Sequence, residues 1–160
     1  RSGTTATVSI LFPDYILIGN VGDSRAILCC DENGTAIQLT ADHTPYLTLE
    51  KDRILSLGGF IRSNDSKGLL RVNDLLAITR TIGDQHLRHV LTSIPDILIF
   101  RRSQIFSTSS ISYCQNYNNS SSTSQLLQQF LILASDGVWD VLSNQEVIEI
   151  VCSYLSQQNL

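Results

Sequence analysis

The sequence has no methionine, one tryptophan, three prolines and four cysteines in 160 residues. Cys29, Cys30, Cys114 and Cys152 show no Cys-x-x-Cys spacing, and the adjacent pair would point to opposite faces of a strand. Neither a zinc site nor a disulfide framework is indicated, and reduced thiols fit a cytoplasmic or nuclear setting. No apolar run is long enough to span a bilayer, so no membrane association is expected. The eleven Lys and Arg are dispersed and outnumbered by fifteen acids, net charge −4, which argues against nucleic acid or an anionic surface as partner. Repeats of solenoid period are absent. The chain opens with neither an initiator Met nor a signal-peptide pattern and runs at once into strand-like residues, so it reads as a piece of a longer protein.

What is present is enough apolar content for one core, with 42% hydrophobic residues, and an excess of aspartate. Eleven of the fifteen acids are Asp, many beside Gly, Asn or Ser, which is the chemistry of turns, of metal sites, or of both. The sharpest stretch is Phe130-Leu-Ile-Leu-Ala-Ser-Asp136-Gly137-Val138-Trp139-Asp140, an apolar strand pattern ending in two carboxylates four residues apart. A turn or helical start after Gly137 would bring Asp136 and Asp140 to one side, with Trp139 as a packing anchor. A second such unit lies upstream, where Tyr15 to Gly22 runs into Asp23-Ser24-Arg25. Asp84 follows Gly83 in the same manner. Any one Gly-Asp pair is most simply a turn; three in one domain suggest a shared acidic site for a hard divalent cation, Mg²⁺ or Mn²⁺.

β patterns dominate the first forty residues, at 4–12, 15–20, 26–30 and 35–39, broken by Pro13-Asp14 and by Asp31-Glu32-Asn33-Gly34, and they read as one antiparallel meander. A helix is expected over 48–57, with Leu49, Ile54 and Leu57 on its apolar side and Gly58-Gly59 as its stop. Further strands are expected at 69–72, 75–79 and 97–100. Residues from about 103 to 125 are rich in Ser, Asn, Gln and Thr and read as a surface insertion. A final helix is capped by Ser143 with Glu146 at its third position and an apolar stripe of Val147, Ile150, Val151 and Leu155. His43, followed by Pro45, invites a general-acid role, yet a loop position explains it more simply; His86 and His89 read as surface residues.

Taken in order, Ser2-Gly-Thr-Thr-Ala6, Asn20-Val-Gly-Asp-Ser-Arg-Ala26, Asp42-His43 with Pro45, Glu50 to Gly59, Arg71-Val72, Leu76 to Asp84, Pro95-Asp96 and Leu131 to Asn144 resemble the metal-dependent protein phosphatases of the 2C type. The resemblance implies an α+β fold, an αββα sandwich of two antiparallel sheets flanked by helices, incomplete in this chain, with residues 1–160 as one partial domain. It implies a serine/threonine phosphatase, a monomer acting on phosphoprotein substrates through a water or hydroxide held between two Mn²⁺ or Mg²⁺ ions. Asp136 then matches the aspartate on the catalytic metals, Asp23 and Asp140 carboxylates linked to a third, weaker ion, and Asp84 a motif position near the site. Arg25 and Arg80 match residues that hold carboxylates and loops, and residues 61–68 fall where the family carries its variable flap. The family's phosphate-binding Arg, its Glu-Asp pair and its Asp-Gly-His-Gly-Gly segment would precede Ser2, and a late Asp-Asn motif would follow Leu160. The 160 residues alone are therefore expected to bind metal poorly and not to turn over. The alternative is a pseudophosphatase scaffold, against which the retained Asp23, Asp136 and Asp140 argue.

Overall fold

A computed structural model describes residues 2–29, 34–63, 68–102 and 129–157. The Ser/Asn-rich segment, the Asp31–Asn33 turn and residues 64–67 of the flap lie outside the described residues.

Two three-stranded antiparallel sheets form the body. β1 (Gly3–Thr4) stands apart from them; β2 (Ala6–Leu11) and β3 (Tyr15–Val21) make a hairpin, and β9 (Asp96–Arg101) pairs with the other side of β3. The second sheet places β4 (Arg25–Cys29) between β5 (Ala36–Gln38) and β10 (Phe130–Ala134). Strands 15–21 and 25–29 are thus not neighbours in one meander, as the sequence pattern suggests. The chain crosses between sheets at Gly22–Ser24, so Ile16 and Ile18 of β3 face Ala26 and Leu28 of β4 across the sandwich core. Alternation accounts for it. The opposite face of β4, Ile27 and Cys29, is buried too, beneath the C-terminal helix, so this strand needs cover on both sides.

α1 (Thr48–Ser56) leads through Gly58 (φ +81°) to a small hairpin of β6 (Ile61–Ser63) and β7 (Leu70–Val72). Ile54, Val72, Leu87, Val90 and Leu91 form a separate core there. The expected apolar side of α1 is corrected: Leu49 and Leu57 are exposed, and Glu50 is buried beside Ile54. The strand expected at 75–79 is absent, because Asn73 and Asp74 adopt left-handed φ, close a turn and leave only a single bridge from Leu76 to Val72. β8 (Ile82–Gly83) pairs with β1 and a short 3-10 turn follows at Gln85–Leu87.

After β10 come α2 (Asp136–Trp139) and α3 (Asn144–Gln157). Ser143 and Glu146 form the expected capping box, Ser143 N–H donating to Glu146 Oε2 at 2.8 Å and Glu146 N–H to Ser143 Oγ at 3.3 Å. Val147 and Ile148 carry the buried side of α3, while Ile150 is exposed, a turn of the stripe away from expectation. α3 covers the outer face of the second sheet. The outer face of the first, with Val8, Ile10, Ile97 and Ile99, is exposed and carries no helix among the described residues, so one of the two helical layers of an αββα sandwich is present. No helix of the described residues is long and apolar enough to cross a membrane.

Candidate metal-binding site

Asp23 lies in the crossover between sheets, two residues past the end of a β3 whose last two residues are buried. Three contacts shape the turn. Asn20, fully buried, accepts from Thr7 Oγ1 at 2.6 Å and donates to Gly22 O and Ala41 O at 3.2 and 3.1 Å. Gly22 takes φ +101° against Thr5, whose side chain a Cβ at this position would overlap. Ser24 meets the Thr5 hydroxyl at 2.8 Å.

Asp136 and Asp140 are delivered by β10, which pairs with β4 so that Ala134 stands opposite Arg25, two residues after Asp23. β10 ends at Ala134, and the single turn of α2 bonds Asp140 N–H to Asp136 O at 2.7 Å. Trp139 anchors that turn: its Nε1–H donates to Ala134 O at 2.9 Å, its ring joins the core under α3, and Arg25 stacks over it with Cζ 5.2 Å from the ring centroid. The same guanidinium bonds Asp42 through two nitrogens, at 3.0 and 2.6 Å, and Asn144 at 2.6 Å. Arg25 therefore ties β4, the Asp42 loop, α2 and the start of α3 together.

These carboxylates sense one another. Burial raises the Asp23 pKa, the charge of Asp136 raises it further, and Asp42 and Asp140 add to it against an opposing backbone hydrogen bond. Asp84 is not among these neighbours. It is buried at left-handed φ, its N–H donating to Ser2 O at 2.8 Å and its carboxylate accepting from Thr81 Oγ1 at 3.1 Å, so close under Gly3 that a Cβ there would overlap it. Asp42 is the acid that the sequence pattern left in a loop motif. Its only signal was its place immediately before His43.

A second cluster supports the first. Glu50 Oε1 accepts from Arg80 Nη2 at 2.7 Å, and Oε2 from Arg53 and Thr79 at 2.8 and 2.7 Å. Burial alone would push Glu50 up, but the hydrogen bonds from Arg80, Arg53 and Thr79 outweigh it and hold the carboxyl at about 2. Arg80 also binds Asp96 Oδ1 at 2.7 Å, and Asp96 Oδ2 meets His43 Nε2 at 3.1 Å. Burial opposes ionisation of Asp96, yet these two hydrogen bonds bring its pKa below the ordinary value. His43 is fully buried with both ring nitrogens engaged, which removes it from general-acid chemistry, while His86 and His89 are exposed.

The donor set is all oxygen, which suits a hard divalent ion, and a bound cation would offset both the burial and the neighbouring charge of Asp136 that raise the Asp23 pKa. It is not a closed cage: among the described residues no group of three or more His, Cys, Asp or Glu is arranged to hold a metal ion.

The model of the family described as Protein phosphatase 2C matches residues 1–159, and the chain belongs to that family. It is 37% identical to Protein phosphatase 1L of Bos taurus over 98% of this chain and 37% of that protein. A second relative, Probable protein phosphatase 2C 44 of Oryza sativa subsp. japonica, is 40% identical over 98% of this chain and 41% of the relative. The chain thus spans well under half the length of these relatives. Among solved structures, a serine-threonine phosphatase 2C from Toxoplasma gondii superposes with a TM-score of 0.73 at 24% identity, covering 98% of this chain and 48% of the other, a likeness of fold. The family is metal-dependent.

Proposed function

We propose that residues 1–160 are the central and C-terminal part of a protein phosphatase domain that hydrolyses phosphoserine and phosphothreonine in proteins. One observation carries the reading: Asp23, leading into β4, and Asp136, just past β10, lie at the same end of the paired β4 and β10 strands of a 2C-type fold, where burial first and the charge of Asp136 next raise the Asp23 pKa. Such an arrangement costs stability without a cation and has no use in a scaffold that only binds partners.

In this reading Asp136 is a ligand of two catalytic Mg²⁺ or Mn²⁺ ions, and Asp23 with Asp140 serves a third. Asp84 is a further candidate ligand at the edge of the site, its Oδ2 held by Thr81 beneath the Ser2–Gly3 edge. When bound, the ions supply charge for the phosphoryl oxygens and acidify a water for attack on phosphorus. The chain's own residues do the orienting. Trp139 and Arg25 fix the turn that aims Asp136, and Asn20 with Gly22 fixes the one that aims Asp23. The remaining ligands belong to the larger domain, so the segment alone is inactive. The enzyme acts as a monomer, in the cytoplasm or nucleus.

The test is Mn²⁺-dependent hydrolysis of a phosphothreonine peptide by the full-length parent, beside its Asp136→Ala variant and beside residues 1–160 alone. Activity in the parent only is the expected result. A well-folded parent inactive at every Mn²⁺ and Mg²⁺ concentration overturns the reading in favour of a pseudophosphatase.

A further inference from the structure

The Gly22 N–H donates to His43 Nδ1 at 3.0 Å, so the ring proton sits on Nε2 and is donated to Asp96 Oδ2 at 3.1 Å. The main chain of His43 grips the same turn again: its N–H donates to Gly22 O at 3.0 Å. Both peptide units of Gly22 are therefore bonded to His43, and the next residue is Asp23. His43 is itself fixed from the far side, its carbonyl accepting Thr79 N–H at 2.8 Å while Arg80 holds Asp96.

A turn so held meets a specific need. The residue before Asp23 is a glycine at φ +101°, the residue type with least resistance to rotation, so the aim of the Asp23 carboxylate depends on what holds that glycine.

We propose that His43 is a positioning residue for the metal site, its Nδ1 setting the Gly22–Asp23 turn so that the Asp23 carboxylate stays beside Asp136 and Asp140. This deepens the phosphatase reading and rests on it for the cation. Asp96 and Arg80 orient the ring, so β9 and the Thr79–Arg80 segment act on the site without touching it.

The two ring nitrogens can be replaced separately. His43→Asn puts Oδ1 near the place of Nδ1 and keeps an acceptor for Gly22, but does not reach Asp96. His43→Gln carries an N–H toward Asp96 and gives up the acceptor. Each loses one buried hydrogen bond, so a merely structural role lowers both melting temperatures and both metal affinities alike. Mn²⁺ binding to the full-length parent is measured directly from the electron paramagnetic resonance signal of free Mn²⁺, with Asp23→Ala marking the site concerned and melts of metal-free protein alongside. At that site His43→Asn is expected to stay within about threefold of the unmutated parent, while His43→Gln and His43→Ala lose about tenfold or more. Equal affinities for the Asn and Gln variants, or affinities that simply follow the melting temperatures, overturn the proposal. A parent that binds Mn²⁺ but hydrolyses no phosphothreonine peptide overturns the phosphatase reading alone, and the Asn–Gln comparison still decides the role of His43. A parent that binds no Mn²⁺ overturns both.

Discussion

Glu50 offers the most quantitative perturbation. Its carboxylate is 2% exposed and accepts from three side chains on three segments, Arg53 of α1, Thr79 and Arg80. In Glu50→Gln the shape is kept and the charge is lost, leaving Arg53 with only carbonyl acceptors at Val90 and Thr79, and Arg80 with Asp96 and Ile94. Holding the carboxyl at about 2 instead of 4.5 is a stabilisation of about 3 kcal/mol at roughly 1.36 kcal/mol per unit. That agrees with the 3–5 kcal/mol, roughly, seen when one partner of a buried pair is removed. Because the folded-state value is depressed, the contribution is complete above pH 4.5 and disappears as pH falls toward 2. Chemical denaturation of parent and Glu50→Gln across pH 7 to 2.5 is the assay, with an expected loss of about 3 kcal/mol at neutral pH, which in a parallel thermal melt is a fall near 10 °C, taking about 3 °C per kcal/mol. A difference under about 1 kcal/mol at pH 7, or one that persists unchanged to pH 2.5, would refute the account of Glu50 as a charged hub.

Asp23 should behave in the opposite sense. With its pKa raised, its ionised form opposes folding above the ordinary carboxylate range, so Asp23→Asn is expected to raise the melting temperature of metal-free protein at pH 7, to have no such effect at pH 3, and to weaken Mn²⁺ binding; a neutral-pH melt lower than that of the parent contradicts the crowding. Gly22→Ala combines positive φ with overlap on Thr5 and should cost about 2 kcal/mol or more in denaturant melts, whereas Gly58→Ala, with the same φ sign and open space around it, should cost about 1. Arg25→Lys keeps the charge but forfeits the two-nitrogen grip on Asp42 and the stacking on Trp139, and should lower stability by about 1–2 kcal/mol in chemical denaturation. Trp139→Phe removes the bond to Ala134 O and should reduce Mn²⁺-dependent turnover of the parent more than its KM for the peptide, since the turn carrying Asp136 loosens while no substrate contact is lost.

What the sequence by itself determined is local. Runs of strand-forming residues between turn signals placed β2, β3, β4 and β9 within two residues of their ends, Ser143 with Glu146 announced the start of α3, and the Gly-Asp and Asp-Gly junctions marked the strand ends where carboxylates are presented. These features need only neighbours in the chain, through backbone geometry and capping. The tertiary structure alone decided which strands share a sheet. A strand such as β4, apolar on both faces, is compatible with either sheet until α3 and β3 compete to cover it, so the apparent meander resolved into two stacked sheets. It also decided the inside of α1. Glu50 is acceptable in a core only because Arg80, thirty residues on, arrives to meet it, and no helical periodicity can announce a partner that distant. The same holds at the site: Asp23 and Asp136 are more than a hundred residues apart in the chain, and they meet only because β10 pairs with β4, Ala134 opposite Arg25.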